Sequence, residues 1–262
     1  MAIRDRFDLV ILDWAGTTVD FGCHAPVIAL QEAFARRGIA ITVAQARRDM
    51  GKAKEDHVRA LLRDPVVAAL WTGVRGAAPD DSDIAALMAD LGPLMRDQAT
   101  RAAHLIDGAR ATIDALRAQG LKIASSTGYT RDMMAPVLSE AAAQGYAPDH
   151  LVCSGETPTG RPSPLMIYKA CAELGVWPLS RVVKVDDAEP GVAEGRAAGC
   201  FTVGLAASGN VVGLSQQALL ALPATDRAAR IAAAEQALLA AGADVVIPSI
   251  AQLVPALEKA SP

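Results

Sequence analysis

Residues 8–20 read DLVILDWAGTTVD, and this stretch decides how the chain folds. Its first part, DLVILD (8–13), is a short continuous apolar run between two aspartates. Such a run predicts a strand that is buried on both faces, which is typical of a parallel sheet covered by helices on either side. Asp13 then stands at the carboxyl end of the strand, directly before a Gly-Thr-Thr turn.

Five further apolar runs follow along the chain. They are LKIASST (121–127), HLVCSG (150–155), RVVKVD (181–186), CFTVGL (200–205) and DVVIPS (244–249). Helical patterns lie between them, at about 108–119, 131–144, 164–174, 192–198, 226–241 and 250–259. This alternation predicts an α/β fold with a doubly wound parallel sheet. Right-handed crossovers would bring the loops after the strands to one edge of the sheet, where such folds bind ligands.

Residues 22–102 break the alternation, since they carry helix signals and no convincing strand. Thr42 and Gln45 fit a capping box before a helix. Asp64-Pro65 fits the end of a helix. We therefore predict a helical cap over residues 22–102, inserted after the first strand of a core that comprises residues 1–21 and 103–262.

Composition excludes several classes of protein. The chain has 262 residues and a net charge of −4, and it shows no basic stripe of the kind that binds nucleic acid. Charges in the first residues argue against a signal peptide, and no uncharged apolar run reaches the roughly 18 residues of a membrane span. The four cysteines form no CxxC pair, which argues against structural zinc or a disulfide framework. We expect a soluble cytoplasmic protein without nucleic-acid or membrane partners.

Polar residues follow two of the predicted strands in an arrangement that suits phosphate chemistry. Asp13 beside the free N–H groups of a turn suits a phosphoryl-accepting nucleophile next to a cation, although an aspartate that caps a turn fits equally well. Thr127 and Gly128 precede a helix that begins near Arg131. A hydroxyl, a glycine amide and a helix N-terminus can cradle a phosphate, but a plain N-cap is the commoner use of such residues.

Two later positions extend this pattern. Arg161 precedes another predicted helix, and its guanidinium can clamp phosphate oxygens or lie solvated at the surface. Asp186 and Asp187 end the RVVKVD strand. Two adjacent carboxylates suit a hard cation with oxygen ligands, or they serve as loop acids that cap the next helix.

The order Asp13, Thr127, Arg161, Asp187 resembles the motif order of the haloacid dehalogenase-like superfamily, over the whole chain. Phosphatases of that superfamily usually carry DxD at the first motif, where the second aspartate protonates the leaving oxygen. Here that position is Ala15. The stretch DWAGTTVDFG (13–22) closely resembles the first motif of the phosphonatase (phosphonoacetaldehyde hydrolase) family within the superfamily.

A second stretch strengthens this resemblance. MGKAKEDHVRALL (50–62) is similar to a segment of the phosphonatase cap, and the match places the family's Schiff-base lysine on Lys54. On a helix, Met50, Lys54 and His57 would share one face at spacings i, i+4 and i+7. Partial desolvation there would lower the pKa of Lys54 from about 10.4 towards roughly 7–8. An exposed lysine that extends from a cap helix is the alternative.

The resemblance implies hydrolysis of the carbon–phosphorus bond of phosphonoacetaldehyde to acetaldehyde and phosphate. Lys54 would form an imine with the aldehyde, Asp13 would become an aspartyl phosphate, and His57 would shuttle protons. A histidine that faces a dimer or cap surface would explain His57 nearly as well. Mg²⁺ would be held by Asp13, Asp187 and the backbone carbonyl of Ala15. The resemblance also implies a homodimer joined through the cap.

Six residues are expected to contact this small phosphonate substrate. Those that would hold the phosphonate oxygens are Thr127, Gly128 and Arg161, and those that would line the pocket are Cys23, Met50 and Tyr129. A small residue that packs in the interior would explain Cys23 equally well.

The last motif departs from the wider superfamily, which often carries GDxxxD there. Asp186 replaces the glycine and Gly191 stands where the second acid would be, so by register Asp187 is the metal ligand and Asp186 lies behind it.

Two other functions remain open. A superfamily phosphatase or mutase acting on a small phosphate ester predicts an acid at position 15 and no need for Lys54. A non-catalytic protein that binds a phosphorylated metabolite predicts degraded motifs.

Overall fold

The computed structural model describes residues 2–260. The predicted core extends from residue 1 to residue 262, so its two outermost ends lie outside the described residues. Its strands are β1 (Leu9–Leu12), β2 (Lys122–Thr127), β3 (His150–Cys153), β4 (Val182–Asp186), β5 (Phe201–Leu205) and β6 (Val245–Ile247). They form one parallel sheet in the order β3-β2-β1-β4-β5-β6. The predicted doubly wound sheet is confirmed, and each predicted apolar run contains a strand.

The central strand β1 decides where ligands can bind. All four of its residues are buried, and Leu9 pairs with Lys122 of β2 on one side and with Val182 of β4 on the other. The strand order reverses at this point, because β2 and β3 lie on one side of β1 while β4 to β6 lie on the other. Sheets of this kind bind ligands at the carboxyl ends of the strands where the order reverses. Asp13 stands there.

Residues 22–102 contain five helices and no strand. These are α2 (His24–Ala35), α3 (Val43–Arg48), α4 (Lys54–Arg63), α5 (Pro65–Arg75) and α6 (Asp81–Arg101). The longest of them, α6, packs against α2. The helical character of this stretch agrees with the sequence pattern, and the division of the chain into core and cap stays a prediction.

The remaining helices flank the sheet. They are α1 (Ile3–Arg6), α7 (Ala109–Ala118), α8 (Arg131–Ala143), α9 (Leu165–Leu174), α10 (Glu189–Ala198), α11 (Gln216–Ala221), α12 (Ala224–Ala240) and α13 (Leu253–Lys259). Helices α1 and α11 are not predicted from the sequence, because helices this short show too little apolar periodicity. Within residues 2–260, no helix is both long and apolar enough to cross a membrane.

Two helix boundaries follow the signals in the sequence. The N–H of Gln45 donates to the Thr42 hydroxyl at 3.1 Å and the N–H of Thr42 donates to the Gln45 side chain at 2.8 Å, which confirms the capping box. Helix α4 ends at Arg63, and Asp64 then accepts hydrogen bonds from the first free N–H groups of α5. The Asp-Pro pair therefore ends one helix and begins the next.

One geometric prediction is wrong, because Met50 does not lie on the helix that carries Lys54. Met50 lies in a turn, and α4 begins only at Lys54. Gly51 has a φ of 91°, a left-handed conformation that interrupts a helix. Lys54 and His57 do lie one turn apart on α4, and both are buried.

Candidate active site

The backbone around Asp13 is held by hydrogen bonds on both sides. Its N–H donates to the Val185 carbonyl at 3.1 Å, and its carbonyl accepts from the Thr18 hydroxyl at 3.0 Å. The carboxylate is nearly buried and borders a small cavity of about 20 Å³ at the carboxyl ends of β1, β2 and β4. The strand end thus presents a fixed carboxylate to this cavity.

Residues from the sheet and from the inserted helices meet at this cavity. All of the predicted site residues except His57 line it, namely Asp13, Ala15, Cys23, Met50, Lys54, Thr127, Gly128, Tyr129, Arg161 and Asp187. Pro26, Gly51 and Ala188, which are not predicted from the sequence, complete the wall. Met50 reaches the cavity from the turn before α4, not from a helix face.

Three buried carboxylates form a cluster at one end of the cavity. Asp13, Asp186 and Asp187 each place an oxygen within 4.8 Å of the other two. Burial, followed by repulsion from Asp186 and Asp13, raises the pKa of Asp187 well above its usual range. Burial also raises the pKa of Asp13 to about 6, with Asp186 adding and Arg161 opposing. The cluster therefore has the composition of a divalent-metal site, since a cation would offset this repulsion.

The oxygens of Asp187 are oriented by neighbouring donors. The Thr17 hydroxyl donates to one oxygen at 3.2 Å, and the backbone N–H of Asn210 donates to the other at 2.9 Å. The Cys23 thiol lies 3.2 Å from this second oxygen and 3.2 Å from the Ala15 carbonyl. The Ala15 carbonyl and the Asp187 carboxylate therefore lie beside the same thiol.

Arg161 is a buried cation, not a solvated surface residue. Its Nη2 lies 2.9 Å from the Asp13 carboxylate and donates to the Ser126 carbonyl at 2.7 Å, while its Nε donates to Glu194 at 2.9 Å. Burial alone would lower the pKa of the guanidinium, but Asp186, Asp13 and Glu194 outweigh it and raise the pKa above its usual value. A positive charge therefore faces the Asp13 carboxylate.

The loop after β2 brings the inserted helices close to the sheet. A Cβ added at Gly128 would lie 2.5 Å from the Lys52 carbonyl oxygen, so only glycine permits this approach. Helix α8 is capped by Thr130, whose hydroxyl accepts from the Met133 N–H, and so Thr127 does not cap it. The Thr127 hydroxyl instead accepts from the Tyr129 N–H at 3.2 Å and borders the cavity.

Lys54 is buried at the first position of α4, which rules out the exposed alternative. Its ammonium lies 5.2 Å from the centre of the Tyr129 ring. Burial lowers the pKa of Lys54 to about 8, with Asp13 opposing the shift. A lysine with this pKa is partly neutral near pH 8, as a nucleophilic amine must be. Lys52, by contrast, is only partly buried and pairs with Asp49.

Comparisons with known proteins agree with this geometry. A family model of haloacid dehalogenase-like hydrolases matches residues 7–199. The phosphonoacetaldehyde hydrolase of Paraburkholderia xenovorans (strain LB400) is 46% identical over 246 residues, which cover 94% of this chain and 92% of the relative. The chain belongs to the phosphonoacetaldehyde hydrolase family. The enzyme of that name from Bacillus cereus (strain ATCC 10987 / NRS 248) is 40% identical, over 97% of this chain and 96% of its own.

A solved structure of the family extends the similarity to three dimensions. The crystal structure of a phosphonoacetaldehyde hydrolase like protein from Oleispira antarctica superposes with a TM-score of 0.93 at 38% identity. The match covers 98% of this chain and 96% of the other. The inserted helices and the sheet are therefore arranged as in this relative.

His57 is the one predicted site residue that the structure places outside the cavity wall. Its ring is fully buried, and neither nitrogen has a hydrogen-bond partner among residues 2–260. Burial, with Lys54 adding, lowers the pKa of His57 to about 3, although the nearby Ala46 backbone opposes the shift without meeting hydrogen-bond geometry. The imidazole is therefore neutral at physiological pH, and its role as a proton shuttle stays a prediction.

A buried network behind Arg161 was not predicted from the sequence. The Lys184 ammonium donates to the Ser126 hydroxyl at 2.8 Å and lies 2.9 Å from Asp186 and 3.4 Å from Glu194. A lysine inside the otherwise apolar run RVVKVD was the available signal, because a buried charge in a strand requires a partner. The partner Glu194 comes from α10, which the sequence alone could not place beside β4.

We expect Lys54→Met to raise the free energy of unfolding at pH 7 by about 1–3 kcal/mol. The pKa of Lys54 is lowered from 10.5 to about 8 on folding, so between these values the unfolded chain binds more protons and the stability of the wild type rises with pH. The free-energy cost of burying the charged Lys54 ammonium is complete below about pH 8 and disappears above pH 10.5. Urea unfolding at pH 7 and pH 10 should show the gain from the substitution shrinking at the higher pH.

Lys52→Met is the matched control, and it should change stability little at either pH because Lys52 is partly exposed. A Lys54→Met variant less stable than the wild type at pH 7 would show that the ammonium is better solvated in the folded state than its burial indicates.

Proposed function

We propose that the protein hydrolyses the carbon–phosphorus bond of phosphonoacetaldehyde, giving acetaldehyde and inorganic phosphate. The observation that carries this proposal is that a buried amine, Lys54, and a fixed carboxylate, Asp13, border the same small cavity. Ala15 stands where a phosphatase carries its general acid. Relatives named phosphonoacetaldehyde hydrolase, at 39–46% identity over most of the chain, support the choice of substrate.

The difficulty of the reaction is that the departing carbon must keep the bonding electrons. The neutral amine of Lys54 adds to the aldehyde carbon, and loss of water leaves a protonated imine that can accept those electrons. The pKa of about 8 keeps part of Lys54 neutral at physiological pH. The Tyr129 ring, 5.2 Å from the ammonium, can stabilise the positive charge that the imine retains.

Asp13 is the nucleophile that we propose for phosphorus. Its carboxylate attacks in line, the carbon–phosphorus bond breaks, and the electron pair moves through the imine to give an enamine and an aspartyl phosphate. No leaving oxygen needs a proton, so Ala15 in place of an acid is consistent with the reaction. The enamine then takes up a proton, and one water releases acetaldehyde from Lys54 while another releases phosphate from Asp13.

Arg161, Thr127 and Gly128 are proposed to hold the phosphonate oxygens. The Arg161 guanidinium keeps its charge and lies 2.9 Å from Asp13, so it can bind a dianionic group beside the proposed nucleophile. Its charge also offsets the repulsion between that carboxylate and the phosphonate. Cys23, Met50 and Tyr129 would enclose the aldehyde end.

We propose Mg²⁺ as the metal of the acidic cluster, held by Asp13, Asp187 and the Ala15 carbonyl. The fit is supported by the three buried carboxylates, whose oxygens lie within 4.8 Å of one another, and by the Ala15 carbonyl and Asp187, which both lie 3.2 Å from the Cys23 thiol. When bound, the ion would neutralise negative charge on the carboxylates and the phosphonate. Asp186, which is tied to Lys184 and Arg161, is not needed as a ligand.

The experiment that tests this function compares substrates. With Mg²⁺ present, we expect phosphonoacetaldehyde to yield phosphate and acetaldehyde in equal amounts, and a panel of small phosphate esters to react at least about 100-fold more slowly, because general acid catalysis contributes roughly this much or more. Removal of the metal with EDTA should stop the reaction. Binding of phosphonoacetaldehyde without phosphate release would favour a non-catalytic protein, and release from esters alone would favour a phosphatase or mutase.

We further propose that the protein acts in the cytoplasm as a homodimer joined through the inserted helices. Helix α5 exposes three apolar side chains at four-residue spacing, Val66, Leu70 and Val74, and such a stripe is typical of a protein–protein interface. Sedimentation equilibrium should give the mass of two chains, and Leu70→Glu should give the mass of one. A wild-type mass of one chain would exclude the dimer.

A further inference from the structure

The carboxylate of Asp186 occupies the space in which residue 191 would carry a side chain. A Cβ added at Gly191 would overlap both Cγ and Oδ2 of Asp186, closer than real Cβ atoms approach other atoms. Both residues are buried, one at the end of β4 and the other in the first turn of α10. Positions 186 and 191 therefore share one side-chain volume, and a carboxylate at 186 requires glycine at 191.

The Asp186 carboxylate lies between two buried cations. One oxygen is 2.9 Å from the Lys184 ammonium and 3.3 Å from Arg161 Nη2, and the other accepts from the Ala188 N–H at 3.1 Å. The side chain is thus held as a carboxylate at the junction of the two cations.

Both cations also reach the same oxygen of a second acid. Arg161 Nε donates to Glu194 Oε2 at 2.9 Å, and the Lys184 ammonium lies 3.4 Å from that oxygen. Asp186, at 2.9 Å, is the nearer of the two acids to Lys184. Without a charge at 186, Lys184 would compete more strongly with Arg161 for Glu194.

We propose that Asp186 is a positioning residue for the phosphoryl-binding end of the site. Its carboxylate, packed in the space above Gly191, is the nearer of the two acids that Lys184 contacts, and so it limits the competition of Lys184 for Glu194, which orients Arg161 towards Asp13. The aspartate at 186 and the glycine at 191 in the last motif therefore depend on each other. The glycine leaves the space that the aspartate occupies, and the aspartate supplies the charge. The inference rests on the proposed phosphoryl site, and it assigns Asp186 a role other than metal ligation.

The steric half is tested by unfolding experiments. Gly191→Ala should lower the melting temperature by about 5 °C or more, whereas the same substitution made in an Asp186→Gly background should lower it far less, relative to Asp186→Gly alone, because the overlap is removed. Gly92→Ala is the matched control, since Gly92 also lies inside a helix but an added Cβ meets nothing within 4 Å. A Gly191→Ala protein as stable as the wild type would overturn the shared-volume claim.

The electrostatic half is tested by the binding of inorganic phosphate in the presence of Mg²⁺, measured by calorimetry. Asp186→Asn keeps the shape of the side chain and removes its charge, and we expect the dissociation constant to rise about tenfold or more, since charge-assisted contacts are the strong ones. Lys184→Met in the Asp186→Asn background removes the competitor and should recover most of the affinity. Melting temperatures of both variants, measured without phosphate, show whether they are folded.

An Asp186→Asn protein that binds phosphate like the wild type would overturn the positioning role. A loss of affinity that persists in the double variant would overturn the route through Lys184. Neither phosphate binding nor the melting temperature requires Lys54 or cleavage of a carbon–phosphorus bond, so these results can fail while the proposed function stands, and the reverse is also true.

Discussion

Asp13→Asn should reduce the kcat for phosphonoacetaldehyde hydrolysis by about 10⁴-fold or more, as removal of a nucleophile typically does. The amide has nearly the shape of the carboxylate but cannot accept the phosphoryl group. Because Lys54 is unchanged, the aldehyde should still bind and KM should change far less than kcat. Release of phosphate at saturating substrate and Mg²⁺ measures the effect.

The control for Asp13→Asn is Asp114→Asn, which alters an exposed acid on α7 that pairs with Arg110 one turn earlier. It should leave kcat within a factor of about two, as expected for a surface position remote from the site. If Asp13→Asn kept activity within tenfold of the wild type, the nucleophile would have to be another residue.

Lys54→Ala should cause a loss of similar size, about 10⁴-fold or more in kcat. Without the amine, the carbon–phosphorus bond would have to break with the electron pair left on carbon, and nothing at position 15 can donate a proton to a leaving group. We do not expect this loss of activity to come from misfolding. Removing a buried ammonium with a pKa of about 8 removes the free-energy penalty of its burial at neutral pH. Phosphate release and the melting temperature should be measured on the same preparation.

Lys52→Ala separates the effect of Lys54 from that of a positive charge nearby. Lys52 precedes Lys54 by two residues, but its ammonium pairs with Asp49 and stays partly exposed. We expect Lys52→Ala to retain at least about half of the wild-type kcat. Equal losses in the two variants would point to a general electrostatic effect of the inserted helices and not to an imine.

Much of the fold could be predicted because its signals are local. The apolar run of β1 and the runs that follow it specify a parallel sheet by burial on both faces, and the carboxyl ends of parallel strands necessarily meet at one edge. That rule alone brings Asp13, Thr127 and Asp187 to one cavity. The capping box at Thr42 is equally local, since both of its hydrogen bonds lie within four residues.

Features that depend on packing between distant segments could not be predicted in this way. The periodicity of residues 50–57 suggested one helix, but the left-handed Gly51 turns the chain so that Met50 approaches the cavity separately from α4. The burial of Lys54 depends on how closely the turn before it approaches Gly128. The resemblance to phosphonatases, not the helical pattern, placed Lys54 at the site.

The same limit applies to the charges behind the site. Lys184 was visible as a charge within an apolar strand, but its partners Ser126 and Glu194 come from β2 and α10. The overlap between Asp186 and the space above Gly191 likewise exists only once β4 and α10 are packed together. Sequence spacing indicates which residues reach the edge of the sheet, and tertiary packing decides which of them share one volume or one charge network.

We propose that Lys54 forms an imine before Asp13 breaks the carbon–phosphorus bond. Borohydride reduction, followed by mass spectrometry of the peptide that contains Lys54, tests this order of events most directly. In the presence of phosphonoacetaldehyde, Asp13→Asn should carry a 2-phosphonoethyl group on Lys54, because the imine forms and the bond to phosphorus stays intact. The wild type should carry an ethyl group there, left by the cleaved substrate. Unmodified Lys54 in both proteins, or a substrate-derived group on Lys52 instead, would contradict the account.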